Sequence, residues 1–155
     1  MRLVVFTDLD GTLLDHQTYS HALAQPALDA LKASGAELVP CSSKTRAELL
    51  PLWRELGLGG PLISENGGGV FLPEGHFLAS APGWLPAGPG WLMRPLGLAI
   101  DQVRARLASF APRFQARGFG QMSDAEVAQL TGLSLEAAAL ARQREFNEPI
   151  LLPEP

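Results

Sequence analysis

The sequence predicts an α/β fold: a parallel sheet interleaved with helices, followed by a second unit of α+β character. Three observations predict it. Over the first 80 residues, strand-length apolar runs alternate with helix-like periodicity. Gly (16) and Pro (13) are frequent in this chain of 155 residues and crowd at 82–90, Pro-Gly-Trp-Leu-Pro-Ala-Gly-Pro-Gly. Past that stretch, strand and helix signals continue without the regular alternation.

Leu3–Thr7 reads as the first strand. A helix follows from about Gln25 to Ser34, with Pro26 near its start and Gly35 just beyond its end. Glu37–Cys41 is a second strand. Thr45-Arg46-Ala47-Glu48 has capping-box spacing and opens a helix whose Leu49, Leu52, Trp53 and Leu56 share a buried face. Pro51 inside that helix is expected to kink it, because the ring meets the preceding turn. Leu62–Ser64 reads as a third strand, and Val70–Leu72 with His76–Leu78 as a hairpin.

The stretch 82–90 cannot hold a regular helix or a central strand, so it reads as a linker. Residues 1–81 then form one unit and 91–155 another. In the second unit Trp91–Leu96 reads as a strand. Ile100, Val103, Leu107 and Phe110 have helix-face spacing. Phe114–Arg117 is expected to be a strand. Ser123-Asp124-Ala125-Glu126 is a second capping box, opening a helix through Leu130, and Ser134 caps another through about Gln143. Ile150–Leu152 is the last strand expected.

Composition narrows the class. Hydrophobic residues make up 46% and charged residues 18%, as a folded globular chain requires. With net charge −4 and no basic cluster, nucleic acid is not an expected partner. The apolar runs are too short to cross a bilayer, so no membrane partner is expected either. Met1-Arg2-Leu3-Val4-Val5-Phe6 starts like a secretory leader, but Asp8 and Asp10 end the run too early. The single cysteine, Cys41, has no internal disulfide partner and fits a reducing cytoplasm. His16, His21 and His76 lack metal-ligand spacing and read as solvated loop residues.

The chemistry sits at the end of the first strand, in Phe6-Thr7-Asp8-Leu9-Asp10-Gly11-Thr12-Leu13-Leu14-Asp15. Side chains two apart on an extended segment point the same way, so Asp8 and Asp10 share a side. Gly11 lets the chain turn tightly beneath them. One carboxylate can attack an electrophile while its neighbour moves protons, and together they invite Mg²⁺. An ordinary strand-ending turn is the plainer alternative, since Asp and Gly favour turns for local reasons.

This Asp-x-Asp-Gly-Thr-Leu pattern resembles the nucleophile motif of haloacid dehalogenase-like phosphohydrolases. Cys41-Ser42-Ser43-Lys44-Thr45, Ser64-Glu65-Asn66-Gly67-Gly68, Gly118-Phe119-Gly120 and Arg142-Gln143-Arg144-Glu145-Phe146 follow in the order of one branch, the mannosyl-3-phosphoglycerate phosphatases. The resemblance implies a partial Rossmann-like core over 1–81 and an inserted α+β cap of C2B type over 91–155. It implies Asp8 as nucleophile forming an aspartyl-phosphate, and Asp10 as general acid and then base. Mg²⁺ would be held by the Asp8 carboxylate and the Asp10 main-chain carbonyl. Gly11, Thr12, Ser42 and Ser43 would contact the phosphoryl group, and Asn66 would shape the sugar side. The implied substrate is a small phosphorylated sugar acid, mannosyl or glucosyl.

Lys44 fits an anion of the substrate, yet a solvated lysine at a helix start is the alternative. Arg142 and Arg144 suit a carboxylate or sugar, but equally a helix C-terminus. The family pattern further needs a later lysine and an acidic metal cluster. The lysines here are Lys32 and Lys44, and the last aspartate is Asp124. The chain therefore resembles the N-terminal part of a longer phosphatase, truncated after the cap. On that reading it is inactive alone, and its first strand exposes an edge prone to self-association. A noncatalytic remnant that binds a ligand or partner is the second reading, and a phosphoryl-accepting receiver domain the third.

Overall fold

A computed structural model describes residues 3–153. Strand β1 (Val4–Thr7) lies parallel to β2 (Glu37–Pro40), with Val4 opposite Glu37 and Thr7 opposite Pro40. Every residue of β2 is buried, as expected of a strand covered on both faces. Cys41 continues β2 and bridges in parallel to Ile63 of β3 (Leu62–Ser64). The first three strands thus run side by side in the order β1-β2-β3.

Helix α1 (Gln25–Ala33) returns the chain from β1 to β2, with Pro26 in its first turn and Gly35 at φ +70° after its end. Helix α2 (Arg46–Glu55) joins β2 to β3. Both halves of its capping box are formed: Thr45 accepts from the Glu48 N–H, and the Glu48 carboxylate accepts from the Thr45 N–H at 2.8 Å. The helix continues through Pro51, which lies on its exposed side.

The hairpin expected from 70–72 and 76–78 is formed differently. Strand β4 (Gly69–Pro73) pairs antiparallel with β3 on one side and with β6 (Trp91–Pro95) on the other. Residues 77–80 instead make a 3₁₀ turn, capped by His76, whose Nδ1 accepts from the Leu78 N–H. The segment 82–90 contains β5 (Leu85–Pro86), which adds to the far edge of β6, so the sheet continues across it. The resulting order is β3-β4-β6-β5.

His76 corrects a second expectation. Its side chain is 6% exposed, and its Nε2 lies 2.6 Å from Oε1 of the buried Glu37. A buried carboxylate needs a partner, and this histidine meets it from 39 residues away. Gly60 leaves the space: a side chain there would collide with Glu37.

Helix α3 (Ile100–Phe114) is longer than expected and takes in Phe114. Gln115, at φ +51°, ends it, and the strand expected there shrinks to β7 (Arg117–Gly118). That strand pairs antiparallel with β8 (Ile150–Leu151). Between them lie α4 (Asp124–Thr131), opened by the Ser123–Glu126 capping box, and α5 (Leu135–Ala141), capped by Ser134.

The main core joins Leu9, Leu13, Leu14, Leu38, Leu49, Leu62, Phe71 and Phe146. Trp53 and Trp91 pack edge to face beside it, with centroids 5.1 Å apart. Phe146 comes from the segment after α5, and Gly68 and Gly69 make room for it, since a side chain at either would strike its ring. A smaller cluster, Met122, Val127 and Ala138, holds α4 to α5. On the other side β1 keeps one free edge among the described residues, and Phe6 there is 65% exposed.

Candidate functional site

The site is built where the parallel strands end. Beyond β1 the chain turns tightly: the Gly11 N–H bonds the Leu14 carbonyl, and the Thr12 and Leu14 N–H groups bond the Leu9 carbonyl. Gly11 sits at φ +72°, a conformation that glycine adopts without strain. Leu9 is fully buried within this turn, and Asp8 and Asp10 flank it. Asp8 is exposed and Asp10 half-buried. Gly11 and Thr12 are exposed on the same turn and line a cavity of about 350 Å³ with Asp15 and His16.

Beyond β2 lie Ser42, Ser43 and Lys44. Ser42 is buried, and its hydroxyl accepts from the Lys44 N–H at 3.2 Å. The Lys44 ammonium lies 2.9 Å from Asp10 Oδ2, tying the two strand-end loops together. It also sits 5.5 Å from the centre of the Tyr19 ring. Lys44 is therefore no solvated lysine; Asp10 supplies the anion that a helix start with a cation demands. The β1–β2 register sets Thr7 opposite Pro40, which brings Asp8 beside the end of β2, and burial, with the negative charge of Asp8 behind it, pushes the Cys41 thiol above its ordinary range.

The third loop is zipped to the second through its main chain. The Glu65 N–H bonds the Lys44 carbonyl, and the Asn66 N–H bonds the Ser42 carbonyl, each at 3.0 Å. Asn66 adopts φ +58° and, with Ser43, Lys44, Arg144 and Asn147, lines a cleft of about 520 Å³. Arg144 reaches this cleft from the segment after α5 and donates to the Ser43 carbonyl at 2.8 Å.

Arg142 is not brought there. Its guanidinium bonds Asp124 and the Phe119 carbonyl, inside the α4–α5 unit. Two arginines two residues apart thus face different neighbourhoods.

Sequence reasoning gave Glu65 no role of its own. It is 2% exposed, and its carboxylate accepts from the N–H groups of Glu145, Phe146 and Asn147 at 2.8, 2.9 and 2.8 Å. The available signal was an acid placed between an apolar strand and a run of three glycines, Gly67-Gly68-Gly69. Nearby, Arg46 forks onto Glu145 at 3.1 and 3.2 Å. Burial raises the Glu145 pKa, Arg46 opposes that, and Glu65 adds to it.

The chemistry of the donors can be tested for a divalent cation. The Asp8 carboxylate and the Asp10 carbonyl are hard oxygen donors, the kind Mg²⁺ takes. Asp10 Oδ1 is buried without a hydrogen-bond partner, a polar atom available for another contact. Among the described residues no group of three His, Cys, Asp or Glu could hold a metal. Two acids fit part of a Mg²⁺ shell, since that ion commonly keeps waters and substrate phosphate oxygens besides one or two carboxylates.

Residues 5–80 match a family described as haloacid dehalogenase-like hydrolases. Over that span the chain resembles the haloacid dehalogenase-like hydrolases. It is 40% identical over 99% of its length to a glucosyl-3-phosphoglycerate/mannosyl-3-phosphoglycerate phosphatase of Methanococcoides burtonii, and covers 57% of that protein. It is 34% identical over 96% of its length to a mannosyl-3-phosphoglycerate phosphatase of Pyrococcus furiosus, covering 60% of it. The chain thus spans little more than half the length of these curated relatives. Among solved structures it resembles a phosphatase of the haloalkanoate (HAD) enzyme superfamily from Bacteroides thetaiotaomicron. The TM-score is 0.57 at 19% identity, over 87% of this chain and 48% of that one, a likeness of fold. The fold is that of a partial haloacid dehalogenase-like core with a cap, and among the described residues no helix is long and apolar enough to cross a membrane.

Proposed function

We propose that this chain carries the nucleophile half of a Mg²⁺-dependent phosphatase acting on a phosphorylated sugar acid. Mannosyl-3-phosphoglycerate is the first candidate substrate and glucosyl-3-phosphoglycerate the second, in keeping with what the relatives' names say they act on. The observation that carries the reading is the meeting of three strand-end loops: exposed Asp8, Asp10 paired to Lys44 at 2.9 Å, and the Ser43–Asn66–Arg144 cleft beside them.

Asp8 is the carboxylate open to solvent and so the one able to attack phosphorus. Its attack breaks the bond from phosphorus to the sugar-acid oxygen and leaves an aspartyl-phosphate. Asp10 gives its proton to the departing oxygen, then takes one from the water that hydrolyses the aspartyl-phosphate. The Lys44 ammonium, 2.9 Å from Asp10 Oδ2, stands beside the group that moves the proton. Ser42 and Ser43 hold phosphoryl oxygens, and Lys44 with Arg144 faces the acid end. Bound Mg²⁺ would screen the repulsion between carboxylate and phosphate.

The open edge of β1, with Leu3, Val4 and Phe6 exposed, needs cover from a second copy or from further strands. The functional reading is tested by assaying the complete gene product with Mg²⁺ and both sugar phosphoglycerates. Phosphate release from either, lost when the metal is chelated, is the expected result. Turnover of neither substrate would remove the reading.

A further inference from the structure

We infer that Glu65 is a positioning residue: its buried carboxylate sets Arg144 on the cleft without touching what binds there. The inference rests on the proposed reading of that cleft as the place of the substrate's acid end.

Glu65 and Asn66 are consecutive non-glycine residues at φ +53° and +58°. Such backbone is strained and persists only where the surroundings over-determine it. The surroundings here come from two directions. On one side, the N–H groups of Glu65 and Asn66 bond the carbonyls of Lys44 and Ser42. On the other, the Glu65 carboxylate gathers three consecutive N–H groups, those of residues 145–147, from 80 to 82 positions away.

Asn147 continues the link. Its amide nitrogen donates to the Glu65 carbonyl at 3.2 Å, and its amide oxygen accepts from Arg144 at 3.1 Å. Arg144 then donates to the Ser43 carbonyl. The series Glu65–Asn147–Arg144–Ser43 closes on itself through the Ser43–Lys44 peptide bond, because the Glu65 N–H is bonded to the Lys44 carbonyl. A charged acceptor for three main-chain donors is stronger than a neutral one, which explains a carboxylate here. Arg144 also donates from Nε to the Ala141 carbonyl at 2.8 Å, at the end of α5, and its Nη1 is the part that the series reaches. The geometry ends on a cation beside Lys44, at the cleft that Asn66 also lines.

The test uses the whole chain and three variants, Glu65→Gln, Asn147→Ala and Arg144→Ala, with 3-phosphoglycerate and inorganic phosphate as probes. Nitrogen-15 NMR at low temperature reads the Arg144 Nη N–H groups, which face Asn147 and Ser43, apart from its Nε–H, which the Ala141 carbonyl holds at 2.8 Å. In the wild type the Nη signal should be protected from exchange; Glu65→Gln and Asn147→Ala should both expose it. Each variant should weaken 3-phosphoglycerate about tenfold, the size of one charged hydrogen bond, while inorganic phosphate changes less than about twofold. Glu65→Gln combined with Arg144→Ala should bind no more weakly than Arg144→Ala alone. If Glu65→Gln fails to fold, Asn147→Ala still decides, since it cuts the same series farther from the core. A protected Arg144 Nη signal in these variants, or equal loss of both ligands, overturns the inference. Wild-type protein that ignores 3-phosphoglycerate would instead count against the cleft's assignment, with the NMR result standing apart from it.

Discussion

The strand-end loops and the segment after α5 meet at one cleft, yet they are held there by opposite means. Asp8, Asp10, Ser42 and Lys44 sit on turns and caps that close within a few residues (Leu14 onto Leu9, Lys44 onto Ser42, Glu48 onto Thr45), with Lys44 reaching Asp10 34 positions away. Arg144, Phe146 and Asn147 meet partners 78 to 101 positions away: Glu65, Gly68 and Ser43. Local turns make the chemistry rigid, whereas long-range contacts make the cleft wall separable from it. Variants in the first group should therefore remove turnover, and variants in the second should alter stability or selectivity.

The largest effect is expected at Asp8. In the complete gene product, Asp8→Asn should abolish the phosphoenzyme, read by mass spectrometry of acid-quenched protein. Asp10→Asn should leave substrate binding near wild type but slow turnover by roughly 10²–10⁴-fold, the usual scale of general acid–base catalysis. Normal turnover of the Asp8 variant would break the comparison at its first term.

Next comes Phe146, the residue by which the later segment enters the main core. Phe146→Ala should lower the unfolding free energy by about 3–5 kcal/mol, measured in urea, because Phe71 and the two glycines cannot close the space left. A loss below about 1 kcal/mol would mean that this segment is only loosely seated.

The two capping boxes sharpen the contrast further. Thr45 is fully buried and its hydroxyl also donates to the Leu140 carbonyl at 3.0 Å, linking α2 to α5. Ser123 is exposed and caps only its own helix. Thr45→Ala should cost about 2 kcal/mol and Ser123→Ala nearer ~1, by chemical denaturation. Equal losses would show that the long-range bond of Thr45 contributes nothing.

These differences also explain what could be read from the amino acids beforehand. Asp8–Asp10 and both capping boxes announce themselves because their partners lie within four residues, inside one strand end or one helical turn. The β1, β2 and β3 runs were legible for the same reason. His76, Arg142 and Glu65 were not: each is decided by a group 18 to 82 residues away, Glu37, Asp124 and the 145–147 main chain. Val70–Leu72 was recognisable as strand, but its second partner, β6, lies beyond a Pro/Gly segment that hides the pairing. Phe114 suits a strand by type, and only the turn at Gln115 reveals that α3 claims it.

The smallest effect expected is a pair of opposite slopes in acid. Glu126 accepts from the Ser123 N–H and hydroxyl and from Arg117, which hold its pKa down at about 2 against an ordinary 4.5. A lowered native pKa means that the unfolded chain binds more protons, so this group's stabilisation is complete above 4.5 and fades as pH falls towards 2. Glu145 is displaced the other way by burial, so its native state holds the proton more tightly and its contribution declines as pH rises above 4.5. Melting temperatures between pH 2 and pH 7 should therefore rise less steeply in Glu126→Gln below 4.5. In Glu145→Gln the decline above that value should vanish. Glu126 is solvent-exposed and screened, so its slope should shrink in high salt, while that of half-buried Glu145 should persist. Matching salt responses would mean that Glu126 on α4 and Glu145 beside Arg46 sit in the same dielectric surroundings, and the separation drawn between local and long-range placement would fail at its electrostatic end.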